Sequence, residues 1–385
     1  MYRAAEPRNI LYAITSLDMG GEERHLLQLA RYMRERGHAV RVCCLHSRGA
    51  IGRRLEDEGF PLVCFDEPEY PSARVLLQNA WRMAALIRDH RIDLVHSFLV
   101  RANVEARLAG RLSGTACAIV NSEACINLRK SHAKIWLDRW TFRWCDVVLA
   151  NSRAVANVLS RRERVQASKI RLVYQGIDVA RFRAGARHAT VPSARPRRVV
   201  IGYIGRLHAE KGPRYLVEAA RLMARSADTF EIVFVGDGPE AATLRALVQD
   251  CGLSDRVRFA GMQTDVTAFL RSFDVLAIPS LEEGLPTVAM EALACGVPIV
   301  ATAVGGTPEV NEHLSTGLLV PAADPASLAH ALRTLVTNEP LRRRLGQAGP
   351  RVAEEKFQAS RMLTQTAAVY EEVLQVILER ATSAA

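Results

Sequence analysis

Short β-branched runs alternate with amphipathic stretches from one end of this chain to the other. That alternation limits the fold more than any other feature, because strands that return through helical crossovers lie parallel and are covered on both faces. In the first half the strand candidates span residues 10–16, 39–45, 62–65, 93–98, 116–121 and 146–151, with helical stretches at 22–36, 74–90 and 131–144 among them. Residues 183–198, rich in Arg, Ala and Pro, break the pattern with linker composition. Strand candidates resume at 199–204, 231–235, 256–260, 275–279, 298–302 and 317–320, and a helical stretch over about residues 354–380 ends the chain. At 385 residues the chain exceeds one ordinary core. The pattern predicts an α/β protein of two doubly wound parallel-sheet domains facing one another across a cleft. Their expected bounds are 1–185 and 199–365, with a linker at 186–198 and a C-terminal helix at 366–385 packing back on the first domain.

Composition narrows the class. Hydrophobic residues make up 49% of the chain, and no apolar run approaches the roughly 20 residues that span a bilayer. Residues 10–17 are apolar but lead into Asp18-Met19-Gly20-Gly21-Glu22 rather than a small-residue cleavage site, so they read as a first strand and its loop, not a signal peptide. Eight cysteines are scattered without a C-x-x-C or any metal-ligand spacing. Buried thiols in a reducing cytoplasm, and no metal site, are the expectation. The net charge of +10 is uneven: residues 1–185 hold 30 Lys and Arg against 19 Asp and Glu, and the remainder holds 21 against 22. The first half is therefore expected to meet something acidic, such as the inner membrane face or a phosphorylated acceptor. No nucleic-acid-binding signature accompanies the charge, so nucleic acid is not an expected partner.

The chemistry-bearing residues cluster at strand-to-helix turns. Glu283 and Glu291 sit eight positions apart in Glu283-Gly284-Leu285-Pro286-Thr287 and the helix that follows. A helix opening at Leu285 or Pro286 leaves N–H groups unpaired at its start, where the helix dipole favours phosphate. The carboxylates can then take hydroxyls on either side of that phosphate, the layout of a nucleotide sugar. The plain alternative is a helix start with two solvated acids. Gly205-Arg206 and Lys211-Gly212 bracket a second loop, whose cations can converge on one anion. Val235-Gly236-Asp237-Gly238-Pro239 is a third such turn, but the full G-x-G-x-x-G is absent, which disfavours a nicotinamide dehydrogenase.

These segments resemble elements of the family 4 retaining glycosyltransferases (glycosyl transferases group 1), which have the GT-B fold. The Glu283–Glu291 pair resembles the family's Glu-x₇-Glu motif, Gly205 to Gly212 its G-R-x-x-x-x-K-G element, Val235 to Pro239 its V-G-x-G-P turn, and Gly20-Gly21 with the acids that follow its G-G-x-E element. The resemblance implies two Rossmann-like domains and retaining transfer of a sugar from a nucleotide-diphosphate donor, UDP- or GDP-linked, to a saccharide or lipid-linked acceptor, as in cell-surface polysaccharide or glycolipid synthesis. Arg206, Lys211 and Glu283 take the catalytic roles on this reading. Gly20, Gly21, Gly205, Gly236, Gly261, Met262, Gly284, Leu285, Pro286, Thr287 and Glu291 line the donor. The cations hold the diphosphate, so no cofactor or metal is implied. On the acceptor side Glu123 stands where the family often places a histidine, and His96 fits half of an H-x-H pattern whose other half is Phe98. Two rival readings are a GT-B sugar-nucleotide 2-epimerase and a non-catalytic sugar-nucleotide-binding module.

Trp136, Trp140 and Trp144 recur every four residues among Lys130, Lys134, Arg139 and Arg143. Core packing is the expectation for these rings, with an interfacial membrane contact or a polyprenyl-linked acceptor as the alternative.

Overall fold

Thirteen parallel strands in two sheets organise the computed structural model, which describes residues 6–18, 20–68, 72–126, 131–183, 198–224 and 229–384. The chain divides into two compact units, one of residues 1–174 with 360–385 and one of residues 175–359.

The first unit holds β1 (Asn9–Ser16), β2 (Ala39–Ser47), β3 (Leu62–Cys64), β4 (Leu94–Phe98), β5 (Ala118–Glu123), β6 (Val147–Ala150) and β7 (Ile170–Leu172), in the order β3-β2-β1-β4-β5-β6-β7. Alternate residues of each strand feed opposite faces of the sheet. Tyr12 and Ile14 join the core against helices Gly21–Glu35 and Ala359–Ala384, while Leu11 and Ala13 join the core under helices Ala73–Asp89 and Val100–Ser113. Burial on both faces is why the strands read as continuous apolar runs. The C-terminal helix contributes Met362, Val369, Tyr370 and Val373 to the first unit's core, each worth roughly 1.5–3 kcal/mol of burial for an apolar side chain of that size.

The second unit holds β8 (Val199–Ile204), β9 (Phe230–Val235), β10 (Val257–Gly261), β11 (Val275–Ile278), β12 (Ile299–Thr302) and β13 (Gly317–Val320), in the order β10-β9-β8-β11-β12-β13. Both orders run outward in two directions from their first strand. The loops after the first and fourth strands therefore part to opposite faces and open a crevice at the strand ends.

The structure departs from the sequence reading in three places. The units divide between Tyr174 and Gln175 rather than at residue 185, because Val179 and Phe182 are buried and the Cys295 thiol donates to the Phe182 carbonyl within the second unit. The expected linker lies outside the described residues except for Arg198. The helical stretch at 354–380 is two helices, Glu339–Lys356 and Ala359–Ala384, since Ile177 donates its N–H to Phe357 and accepts from Ala359, pulling the chain out of helical pairing. β7, only three residues long and half exposed, escaped the sequence reading altogether.

Among the described residues no helix is long and apolar enough to cross a membrane. Of the eight thiols, Cys125 is exposed, Cys64 and Cys251 are half-buried, and the rest are buried as expected.

Candidate active site

The crevice of the second unit opens between the ends of β8 and β11, and the loops leaving these strands are tied to each other. Leu281 donates its backbone N–H to the Glu210 carbonyl at 2.8 Å, and Lys211 Nζ donates to Glu283 Oε1 at 2.7 Å. Gly212 makes that approach possible. It sits at φ +60°, and a Cβ there would lie 2.1 Å from the Pro279 carbonyl oxygen, so only glycine lets the two loops touch.

Glu283 is buried and its position is built from below. Ser280 Oγ also donates to Oε1, at 2.8 Å, and the Ser280 carbonyl in turn accepts from Thr302 Oγ1 on β12 at 2.5 Å. Both donors use one carboxylate oxygen, so among the described residues Oε2 has no protein donor. Gly284, Leu285 and Pro286 are buried behind it. The helix begins at Thr287, one to two residues later than the sequence suggested. Pro286 is its cap, with extended backbone (φ −72°, ψ 106°) and no side-chain hydrogen bond. The first N–H groups of the helix are left to solvent or ligand. Glu291 lies buried in the second turn.

On the other side of β8, Gly205, Gly236 and Gly261 join the ends of β8, β9 and β10: Gly205 donates to Val235 at 3.0 Å and Gly236 to Gly261 at 2.8 Å. A Cβ on Gly236 would meet the Gly205 carbonyl at 2.0 Å, so glycine there lets the turns stack. Met262, just beyond, is exposed. Arg206 is exposed, and its carbonyl accepts from the Tyr203 hydroxyl at 2.8 Å. Tyr203 feels Glu283, Glu240 and Arg206 together, and burial with the two acids pushes its pKa up. Arg206 and Lys211 are thus neighbours of one crevice, yet Lys211 engages Glu283 rather than sharing an anion with Arg206.

The first unit's crevice has a different character. Gly20 caps the helix Gly21–Glu35, and a Cβ on Gly20 would sit 2.1 Å from Glu23 Oε2, so Gly20 makes room for a carboxylate. Met19 lies outside the described residues. Glu22 and Glu23 are both buried in the first turn. Burial, with Glu23 and Glu123 nearby, raises the Glu22 carboxyl to about 8. Glu123 ends β5 and accepts from Asn103 Nδ2 at 2.9 Å. Asn103 Nδ2 also bonds the Ser122 carbonyl, and Asn103 Oδ1 accepts from Ser97 Oγ at 2.7 Å.

His96 is a correction. It is fully buried, with Nδ1 on the Tyr370 hydroxyl and Nε2 on Ser122 Oγ at 2.8 Å, and burial holds its pKa well below the ordinary imidazole value. Both nitrogens serve the core, and neither is left for an acceptor. Phe98 packs on it with ring centroids 4.2 Å apart.

The tryptophans are a second correction. Trp136 and Trp140 are 64% and 41% exposed, and Trp144 is half-buried. Ile135 and Asp138 face inward instead. Lys130 lies outside the described residues.

The sequence reading missed Glu22 and Glu23 as a buried pair, Asn103 as the support of Glu123, and Ser280 and Thr302 beneath Glu283. Only the double acid after Gly20-Gly21 left a signal. The other contacts join residues distant in sequence. Among the described residues no three His, Cys, Asp or Glu side chains are grouped to hold a metal.

Known proteins are similar to this chain in sequence and fold. The family described as "Glycosyltransferase Family 4" matches residues 19–181, and "Glycosyl transferases group 1" matches residues 189–352. The N-acetyl-alpha-D-glucosaminyl L-malate synthase of Bacillus anthracis is 27% identical, over 90% of this chain and 92% of its own. The D-inositol 3-phosphate glycosyltransferase of Corynebacterium efficiens is 33% identical, over 74% of this chain and 68% of its own. The structure of Anabaena HepE in complex with UDP-glucose is similar with a TM-score of 0.79 at 20% identity, over 95% of this chain and all of its own, which shows the GT-B fold. With both halves matched and a relative of that identity spanning two thirds of its length, the chain belongs to the family 4 glycosyltransferases and is a glycosyltransferase.

Proposed function

We propose that the protein carries out retaining transfer of a sugar from a nucleoside-diphosphate donor, UDP- or GDP-linked, to a hydroxyl of a saccharide or lipid-linked acceptor. One observation carries the reading: a buried carboxylate, Glu283, is held by Lys211 and Ser280 through a single oxygen, and the helix that follows it in sequence starts without a side-chain cap. Oε2 of Glu283 accepts hydroxyls of the donor sugar. The N–H groups at Thr287, with Lys211 and Arg206, take the diphosphate, and Glu291 takes the ribose. Gly205, Gly236, Gly261 and Met262 line the nucleotide end. Fixed donors of this kind favour the charge that develops on a departing diphosphate over the charge of the ground state.

In the reaction the bond between the anomeric carbon and the donor phosphate oxygen breaks while the acceptor oxygen attacks from the same face. The acceptor's proton passes to the leaving phosphate, so configuration is kept. Glu123, beside the uncharged Glu22, holds the acceptor hydroxyl. Because the cations are side chains, turnover survives EDTA. The proposed place of action is the cytoplasmic side of the membrane, in synthesis of cell-surface polysaccharide or glycolipid.

The test begins with thermal stabilisation by UDP- and GDP-sugars. N-acetylglucosaminyl donors belong in the set because the name of the Bacillus relative carries that sugar. Nuclear magnetic resonance of the product on a saccharide or lipid-linked acceptor then gives the anomeric configuration. An inverted product, or conversion of the donor to its 2-epimer without acceptor, sinks the reading.

A further inference from the structure

All four tryptophans of the chain lie in one helical layer of the first unit: Trp81 on helix Ala73–Asp89, Trp136 and Trp140 on helix His132–Thr141, and Trp144 in the turn after it. These elements and helix Val100–Ser113 cover the same side of the sheet. Trp81 is 55% and Leu77 52% exposed, and Trp136 and Trp140 are exposed on a helix that, like Trp81's own, packs on helix Val100–Ser113.

Helix His132–Thr141 is built inside out for a water-facing helix. It turns Lys134, Trp136, Arg139 and Trp140 outward and buries Asp138. Asp138 is held by Arg107, which is itself fully buried and stacks over Phe142 at 4.0 Å. A desolvated ion pair on the inner face is an expensive way to fix a helix whose aromatic rings could have filled that space. It holds the tryptophans at the surface.

Charge on the layer has one sign. Of its acids, Glu105 is buried against Arg101 and Asp138 against Arg107, which leaves Asp89 as the only exposed acid among the described residues of these four elements. Exposed cations are spread across it, including Arg82, Arg111, Lys134, Arg139 and Arg143. Arg143 lies over Trp140 at 4.4 Å and Trp144 at 5.0 Å. The helices on the opposite face carry both signs, with Glu371 and Glu372 bonded to Arg36 and Arg171.

We infer that this layer is a docking surface for an anionic lipid bilayer, with Trp81, Trp136 and Trp140 entering the headgroup region and the cations reading its negative charge. Amphipathic rings flanked by Arg and Lys match the boundary between acyl chains and anionic headgroups in both polarity and charge. The inference stands on the first unit alone and does not depend on the donor reading.

The test is co-sedimentation of the full chain with vesicles of phosphatidylcholine, with or without one third phosphatidylglycerol. Tryptophan emission is followed in parallel, since every indole lies on the surface in question. The expected result is binding to the anionic vesicles alone, a blue shift on binding, and release by salt once the Debye length falls below about 8 Å. W136S/W140S reduces the shift to the part that Trp81 contributes, and W81S/W136S/W140S abolishes it. R111E/K134E, at two cations whose side chains have no partner among the described residues, weakens binding at least about 25-fold, as about 1 kcal/mol per surface cation implies. Circular dichroism and turnover on a water-soluble acceptor stay at parental values in all three. Equal binding to neutral vesicles, no binding to either, or parental binding by all three variants overturns the inference. So does binding to an oligonucleotide or self-association in place of vesicle binding.

Discussion

Replacing Gly212 with alanine should disable the site through backbone geometry alone. The residue sits at φ +60°, where a non-glycine residue costs about 1–2 kcal/mol. The added Cβ would also lie 2.1 Å from the Pro279 carbonyl oxygen, a backbone atom that cannot swing away as a side chain can. Relief to an ordinary contact needs a relative shift of about 1 Å between the two loops. That shift stretches the Lys211–Glu283 bond from 2.7 Å beyond hydrogen-bonding range. The loss of the contact and the strain together come to about 2–3 kcal/mol, which in a unit of this size lowers the thermal midpoint by about 5–10 °C. A displacement of 1 Å in positioned catalytic groups costs on the order of 10²-fold in rate. The assay is kcat/KM for transfer from whichever nucleotide sugar stabilises the parent, with calorimetry alongside. Gly212→Asn separates the two causes, since Asn tolerates the left-handed backbone but carries the same Cβ. It should regain part of the midpoint and none of the turnover. If G212A works within twofold of the parent at an unchanged midpoint, the two loops are not held by this contact and the reasoning fails.

Three further outcomes follow from the same contacts. Lys211→Met leaves the buried Glu283 with Ser280 as its one donor among the described residues and should cost about 1–3 kcal/mol, less than a fully buried pair because Lys211 is partly exposed; adding Glu283→Gln should restore the denaturation midpoint but not turnover. Glu22→Gln should be near neutral below pH 4, under the unfolded carboxyl's 4.5, and stabilising at pH 9. The folded carboxyl, at about 8, holds its proton where the unfolded one at 4.5 has lost it, so the parent loses stability as pH rises through that window, by at most about 1.4 kcal/mol per pH unit, readable as urea midpoints against pH. Tyr370→Phe leaves His96 Nδ1 buried without its partner and should lower the melting point by the equivalent of about 1–2 kcal/mol, with KM for the acceptor unchanged; a raised acceptor KM would return His96 to the reaction.

The sheets were legible because parallel strands buried on both faces leave unbroken apolar runs, and twelve such runs marked their strands to within a few residues. β7 was not, since three residues at a half-exposed edge carry too little pattern. Lys211, Glu283 and the turns around them could be named from the sequence because they sit within short loops whose glycines and prolines are local signals. Their mutual bond could not be read, nor could the support from Thr302 through Ser280, which links separate strands. The tryptophan face was misjudged for a different reason. Aromatic spacing at four residues shows that rings share a helix face but not which way the face turns, and here Arg107, 31 positions before Asp138, decides it. His96 was placed on the acceptor side through half of the family's H-x-H pattern, but its partner Tyr370 lies 274 residues away on the C-terminal helix.

The two crevices share a topology and differ in charge, and the difference bears on which of them can hold a diphosphate. The loops of the second unit bring Lys211 and Arg206 beside a helix start, a setting that lowers the energy of a diphosphate. In the first unit, Glu22, Glu23 and Glu123 gather at the corresponding strand ends, where burial first, and then repulsion from Glu23 and Glu123, raises the Glu22 carboxyl to about 8. A phosphate entering there would add to that repulsion. The glycines at 20 and 21, expected from the sequence to approach the donor phosphate at a helix start near Glu22, do begin a helix; its first turn is acidic, and a Cβ on Gly20 would lie 2.1 Å from Glu23 Oε2. Carboxylates suit neutral hydroxyls, which donate to them. Nucleoside diphosphate alone, without a sugar, should therefore slow amide hydrogen exchange at Thr287 and Val288 and in the loop from Gly205 to Gly212, and leave Gly21 to Arg24 at the rate of the unliganded chain. Protection of Gly21 to Arg24 by the nucleotide would place phosphate among the carboxylates and refute this division.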